Sequence, residues 1–183
     1  RNGINYDTSD PTLVQDDYFR YKEQIYALYA DYSREYSERF SMQLGLRMEH
    51  TRTTGISEAK DTEDKHDYTR LFPTVYLLYS PTDGHALNFS FSNRISRPSQ
   101  NMVNPFPFYQ NKYTYACGRE DLKPSYTYNA ELGYTLKNNF NVSAYYSYSD
   151  DVFFQVVDLD AETNVTSFLW ENFMKTHAFG LNN

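Results

Sequence analysis

The sequence predicts an all-β protein, a long antiparallel up-and-down meander of about seven strands. Apolar and polar residues alternate with period two through several segments, and the connections between those segments are short and long by turns. In addition, a chain of 183 residues with 18% aromatic content still has a mean hydropathy of −0.75. Strands with one apolar and one polar face average to that profile, whereas a spanning helix needs about 18 apolar residues in a row, and no such run occurs.

The first segment, Gln24 to Tyr36, fits two periods. Ile25, Leu28, Tyr29, Tyr32 and Tyr36 also suit one face of a helix, and the place of the segment in the order of connections assigns it to strand. From Phe40 to Glu49 the pattern has no exception: Phe40, Met42, Leu44, Leu46 and Met48 alternate with Ser41, Gln43, Gly45, Arg47 and Glu49. Leu71 to Tyr79 is apolar on both parities, and Pro73 is expected at a strand end because proline cannot donate to a ladder. Leu87, Phe89 and Phe91 against Asn88, Ser90 and Ser92 form the next strand. Tyr126, Tyr128, Ala130, Leu132, Tyr134 and Leu136 form another, and Phe140, Val142, Ala144, Tyr146 and Tyr148 the one after it. Asp150 and Asp151 could end that strand or lie inside one that continues to Leu159; the second choice leaves a last strand from Asn164 towards Asn182.

The connections are then short at Ser37 to Arg39, long and charged at Thr53 to Asp67, short at Pro81 to Gly84, long at Arg97 to Pro124 and short at Lys137 to Asn139. Short turns on one side and long loops on the other mark a transmembrane β-barrel, whose strands cross lipid in about 9–11 residues. Hydrocarbon offers no hydrogen bonds, so the wall must be a closed ladder with apolar side chains outward. On this reading Met42, Leu44, Leu46, Ala130, Leu132 and Val142 face lipid, while Gln43, Arg47, Asn129 and Glu131 face the lumen. A soluble sheet packed through one face has the same periodicity and stays as the other reading.

Composition removes several functions. A net charge of −7 without a cluster of Lys and Arg argues against nucleic acid as a partner. Cys117 is the single cysteine, so neither a disulfide framework nor a thiolate zinc set can be built. His50, His66, His85 and His177 lack ligand spacing. Asp158, Asp160, Glu162 and Asn164 imitate a calcium loop, but Thr163 stands where the turn needs glycine and Leu169 where the bidentate acid belongs. No nucleophile elbow, phosphate loop or HExxH occurs, so the chain is expected to be no enzyme, with no metal and no cofactor.

The segments LFPTVYLLYSPTDGHALNFSFSNRISRPSQNMVNPF and GREDLKPSYTYNAELGY carry four motifs in order. They are Arg94, Ile95, Arg97, Pro98 and Ser99; Asn104, Pro105 and Phe106; Gly118, Leu122 and Pro124; and Glu131, Leu132, Gly133 and Tyr134. This order resembles the C-terminal barrel of TonB-dependent outer-membrane receptors, in the outer-membrane β-barrel family. The likeness extends more loosely through Trp170, Glu171 and Asn172 to Ala178, Phe179, Gly180 and Leu181. The family's third motif has Asn-Pro after the glycine; Arg119 and Glu120 stand there, so a different turn is expected.

The resemblance implies a bacterial outer-membrane location, lipid as surroundings, and uptake of a small-molecule, glycan or peptide ligand. It also implies a TonB complex acting through an N-terminal plug. Residues 1–183 are expected to be a partial barrel domain, a piece of a longer receptor, whose apolar face is covered by its own loops or by another copy. A soluble carbohydrate-type binding module and a structural barrel without transport are the alternatives. The loop from Arg97 to Pro124 is expected to be ordered, because Pro98, Pro105, Pro107 and Pro124 restrict it and its aromatic residues let it fold on itself. Its candidate ligand or plug contacts are Arg97, Pro98, Asn104, Pro105, Phe106, Phe108 and Tyr109, with Arg94 just before it, and both arginines are expected to pair with lumen or loop carboxylates.

Overall fold

Period-two alternation produces what it predicts. The computed structural model describes residues 19–57, 62–137 and 139–183. Its long strands are β1 (Phe19–Ser37), β2 (Phe40–Ser57), β3 (Thr62–Tyr79), β4 (His85–Ser96), β7 (Ser125–Leu136), β8 (Phe140–Asp160) and β9 (Val165–Asn182). Between β4 and β7 lie a helical turn, α1 (Gln100–Val103), and a small hairpin, β5 (Phe108–Asn111) and β6 (Thr114–Cys117). All join one sheet in the order β1-β2-β3-β4-β7-β8-β9-β6-β5, which curls into a half-barrel. Long strands pair antiparallel with their sequence neighbours, and the parallel contact is β6 on β9.

The registers line side chains up in rows across the sheet. One row runs Met42, Leu77, Phe89, Leu132, Ala144, Leu181 and the next Leu44, Val75, Phe91, Ala130, Tyr146, Phe179. On the opposite face Gln43, Tyr76, Ser90, Glu131 and Tyr145 form one row, and Gly45, Thr74, Ser92, Asn129 and Ser147 another. A slip of one residue in any strand would mix the two sets.

Three expectations change. Thr53 to Asp67 is mostly strand: β2 and β3 stay paired from Thr53↔His66 to Ser57↔Thr62. Its charges suggested a loop, but opposite charges also pair across a ladder, as Arg52 Nε does with Asp67 Oδ2 at 2.9 Å. Pro73 lies inside β3, opposite Leu46 of β2. The β3–β4 ladder runs only from Tyr79↔Leu87 to Thr74↔Ser92, so Pro73 sits where its strand is paired on one side and behaves as an edge position. Above it Asn93 Nδ2 donates to Leu71 O at 3.5 Å, a side chain standing in for the absent ladder. Lastly, the loop after β4 covers the polar face: Arg97 reaches Glu49 and Thr51, and the apolar face keeps Leu132, Phe179 and Leu181 exposed.

Buried apolar residues are few and local. Phe72 in β3, Val103 in α1 and Leu122 near β7 are the buried hydrophobic residues among those described, so the core sits where the loop meets the wall.

Candidate functional site

The loop is built from its two ends inward. At its start Pro98 fixes the chain behind Arg97, whose Nη2 donates to Glu49 Oε2 at 2.6 Å and to Thr51 Oγ1 at 3.2 Å. Arg97 Nε lies 3.6 Å from Glu23 Oε1. The Arg97 and Glu49 side chains retain 19% and 7% of their exposure, so this is a largely desolvated pair. Burial pulls the guanidinium pKa down, but the hydrogen bond to Glu49, together with Tyr68 and the Glu49 charge, outweighs it, and the net shift is upward. Glu49 in turn accepts an ion pair from Arg47 Nε at 3.4 Å, and Arg47 lies over the Phe72 ring at 4.6 Å.

The middle is held by main-chain bonds and one close approach. Asn104 N donates to Gln100 O at 3.0 Å, closing α1, and Asn104 Oδ1 accepts from Phe106 N at 3.1 Å. Gly118 N donates to Asn104 O and Arg119 N to Met102 O, both at 2.8 Å. A Cβ on residue 118 would run into the main-chain oxygens of Asn104 and Met102, so glycine is required there. The β5–β6 turn closes with Asn111 Oδ1 accepting from Tyr113 N at 2.8 Å.

At its far end the loop is fastened to β8 and β9. Asn172 Oδ1 accepts from Lys123 N at 2.8 Å, while its Nδ2 donates to Lys123 O at 3.0 Å and to Asp151 O at 2.7 Å. Asp151 is presented by a bulge in β8 between Ser149 and Val152, with φ of 52°. The departure from the family pattern has a use here: Arg119 Nε donates to Asp121 Oδ1 at 2.6 Å, and its Nη1 to Glu171 Oε1 at 3.3 Å. The Arg119 guanidinium holds the Asp121 carboxyl below the usual carboxylate range.

The structure brings the expected loop residues together unevenly. Phe106 meets Phe19 edge to face at 6.5 Å, Tyr109 packs on Tyr115 at 5.5 Å, and Phe108 is exposed on β5. Pro105 O lies 3.1 Å from Cys117 Sγ. Arg94 is apart: it lies on β4 opposite Thr127, exposed, and makes no ion pair among the described residues. Sequence reasoning missed Glu23, Glu49, Thr51 and Asn172 as partners of the loop. Parity put Glu49 on the polar face, but nothing local said that a residue 48 positions away would bury it. Among the described residues no group of three His, Cys, Asp or Glu is placed to hold a metal ion.

No curated protein matches the sequence. Among solved structures, the hemophore receptor HasR of Serratia marcescens, in complex with its hemophore HasA and heme, is similar at 14% identity with a TM-score of 0.65, over 87% of this chain and 31% of that one. The copper transporter OprC gives 14% identity and a TM-score of 0.65 over 87% of this chain and 26% of its own. The ferric enterobactin receptor PfeA of Pseudomonas aeruginosa, in complex with enterobactin, gives 17% and 0.62 over 87% and 24%. At these identities the likeness is one of fold, and the chain spans less than a third of each of these proteins. The model of the outer membrane protein beta-barrel family matches residues 2–183, and the chain therefore belongs to that family, as a segment of a bacterial outer-membrane β-barrel.

Proposed function

We propose that this segment supplies wall strands and an ordered outer loop to a receptor that imports a small-molecule, glycan or peptide ligand. Transport is driven by a TonB complex acting through a plug carried elsewhere in the receptor. The row containing Leu44, Ala130 and Phe179 and the row containing Met42, Leu132 and Leu181 face lipid, with Leu46 and Val142 on the same side. Gln43, Arg47, Asn129 and Glu131 face the lumen. The observation that carries the reading is the seating of the loop on this second face through Arg97 and Glu49. A loop held there overhangs the passage and presents Phe106, Phe108 and Tyr109 to an incoming ligand.

Replacing Arg97, Phe106 and Phe108 together with Ala in the full receptor is expected to lower uptake while the barrel still assembles, because the wall ladder is untouched. Normal import by the triple variant would make the loop a passive connector. Spin labels at Leu44, Leu132 and Val142 are expected to be reached by a lipid-soluble relaxer, and labels at Gln43 and Asn129 to be protected from it. Equal accessibility would defeat the assignment of faces.

A further inference from the structure

Below the Arg97–Glu49 pair, on the same face, a groove of about 290 Å³ crosses β1 to β4. Its floor is Gly45, where a Cβ would collide with Thr74 Oγ1 and press on the Asp31 carboxylate; glycine lets both side chains lie across the floor. Asp31 lies opposite Gly45 in the register and makes no ion pair among the described residues. Arg94 lines the other side, exposed and likewise without an ion pair. Tyr29 and Tyr76 border the groove with exposed rings.

We infer that this groove binds an acidic sugar, a hexuronate unit whose carboxylate lies on Arg94, whose hydroxyls donate to Asp31, and whose ring rests on Tyr29 and Tyr76. The choice among anions follows from charge. Arg47 is already taken by Glu49 and Phe72, which leaves one uncommitted cation facing one uncommitted carboxylate. A singly charged carboxylate matches Arg94, whereas a phosphate ester carrying about −1.5 to −2 would be repelled by Asp31 and Glu49. Free hydroxyls are needed as well, because the Asp31 carboxylate offers only acceptors. Arg47 joins the groove to the loop, since the carboxylate that binds it also binds Arg97.

The inference rests on the receptor reading, and the experiment separates the two. Full-length receptor in detergent is titrated calorimetrically with tri-galacturonate, with the neutral galactose trisaccharide and with galactose 1-phosphate. Saturable binding of the acidic trisaccharide alone is expected, with Arg94→Gln weakening it about tenfold or more, the loss of one charge-assisted contact. Gly45→Ala is expected to weaken it by displacing the Asp31 carboxylate, and heat-dependent gel migration checks that each variant is a folded barrel. Equal binding of acidic and neutral sugars, stronger binding of the phosphate, no binding at all, or an Arg94→Gln receptor with unchanged affinity would each overturn the groove assignment. If uptake is nevertheless lost in the Arg97, Phe106 and Phe108 triple variant, the receptor reading stands without it. If the triple variant imports normally while Arg94→Gln abolishes tri-galacturonate binding, the loop reading fails and the groove remains.

Discussion

The β7–β8 pair and the loop from Arg97 to Pro124 are held in different proportions by main chain and side chain. β7 and β8 pair without a break from Tyr126↔Asp150 to Leu136↔Phe140, main chain to main chain. The loop forms the short hairpin of β5 and β6, of which β6 pairs in parallel with β9 over Thr114 to Cys117, and beyond that it is tied down by Arg97, Asn104, Arg119 and Asn172. Stability in the wall is spread over a ladder that tolerates any side chain of the right polarity. In the loop it is concentrated in a few side chains, so single substitutions should unseat it and leave the wall intact.

The largest effect is expected from Glu49→Leu, which strands the Arg97 guanidinium in a desolvated site. Breaking a buried pair from one side costs about 3–5 kcal/mol. Amide exchange at Val103 and Leu122 should accelerate accordingly while exchange in β7 does not change. Adding Arg97→Leu should restore much of the loss; exchange unaffected by Glu49→Leu would place the anchor elsewhere. Gly118→Ala comes next, at roughly 1–3 kcal/mol, because the new methyl group must displace main-chain oxygens. Limited proteolysis of the loop reads it, and wild-type resistance would contradict the close approach.

Asn172→Ala removes three hydrogen bonds that are partly exposed, and a loss of roughly 1–2 kcal/mol at the loop's far end is expected. Protection at Lys123 should fall and that at Val103 hold; a uniform fall would mean that the two ends act as one unit. The smallest effect is electrostatic. Arg119 lowers the Asp121 carboxyl in the folded loop, so the pair's contribution is complete above the ordinary carboxylate range and is lost as pH falls through the lowered value. Both side chains are about half exposed or more, at 49% and 64%, so solvent screening holds the effect below about 1 kcal/mol. Asp121→Asn should flatten this pH dependence; an unchanged slope would assign it to another carboxylate.

The wall was legible because its signal is local. Alternation from Phe40 to Glu49 and from Tyr126 to Leu136 follows from each strand having two faces, and no distant residue is needed to read it. Gln24 to Tyr36, which also fits a helical period, is strand because β2 pairs with it from Gln24 to Glu35. The extension of β2 and β3 was missed for a related reason: beyond the apolar rows the strands carry charge, and charge without alternation looks like loop. The turns of the loop were partly legible through its prolines and Gly118. Its anchors were not, since Glu49 and Asn172 declare their role only once the sheet has brought them to Arg97 and Lys123.

Arg97 reaches back 48 positions to Glu49, and Lys123 reaches forward 49 positions to Asn172. Both closures are long in sequence, and chain entropy opposes each until its strand is in place. The loop therefore orders last, after the strands on its N-terminal side and the final hairpin have both found register. Until then its Phe and Tyr residues hang free and can be cut. A protease-resistant loop thus reports a correctly assembled wall on both flanks, and a strand slipped on either one leaves the loop open to cleavage.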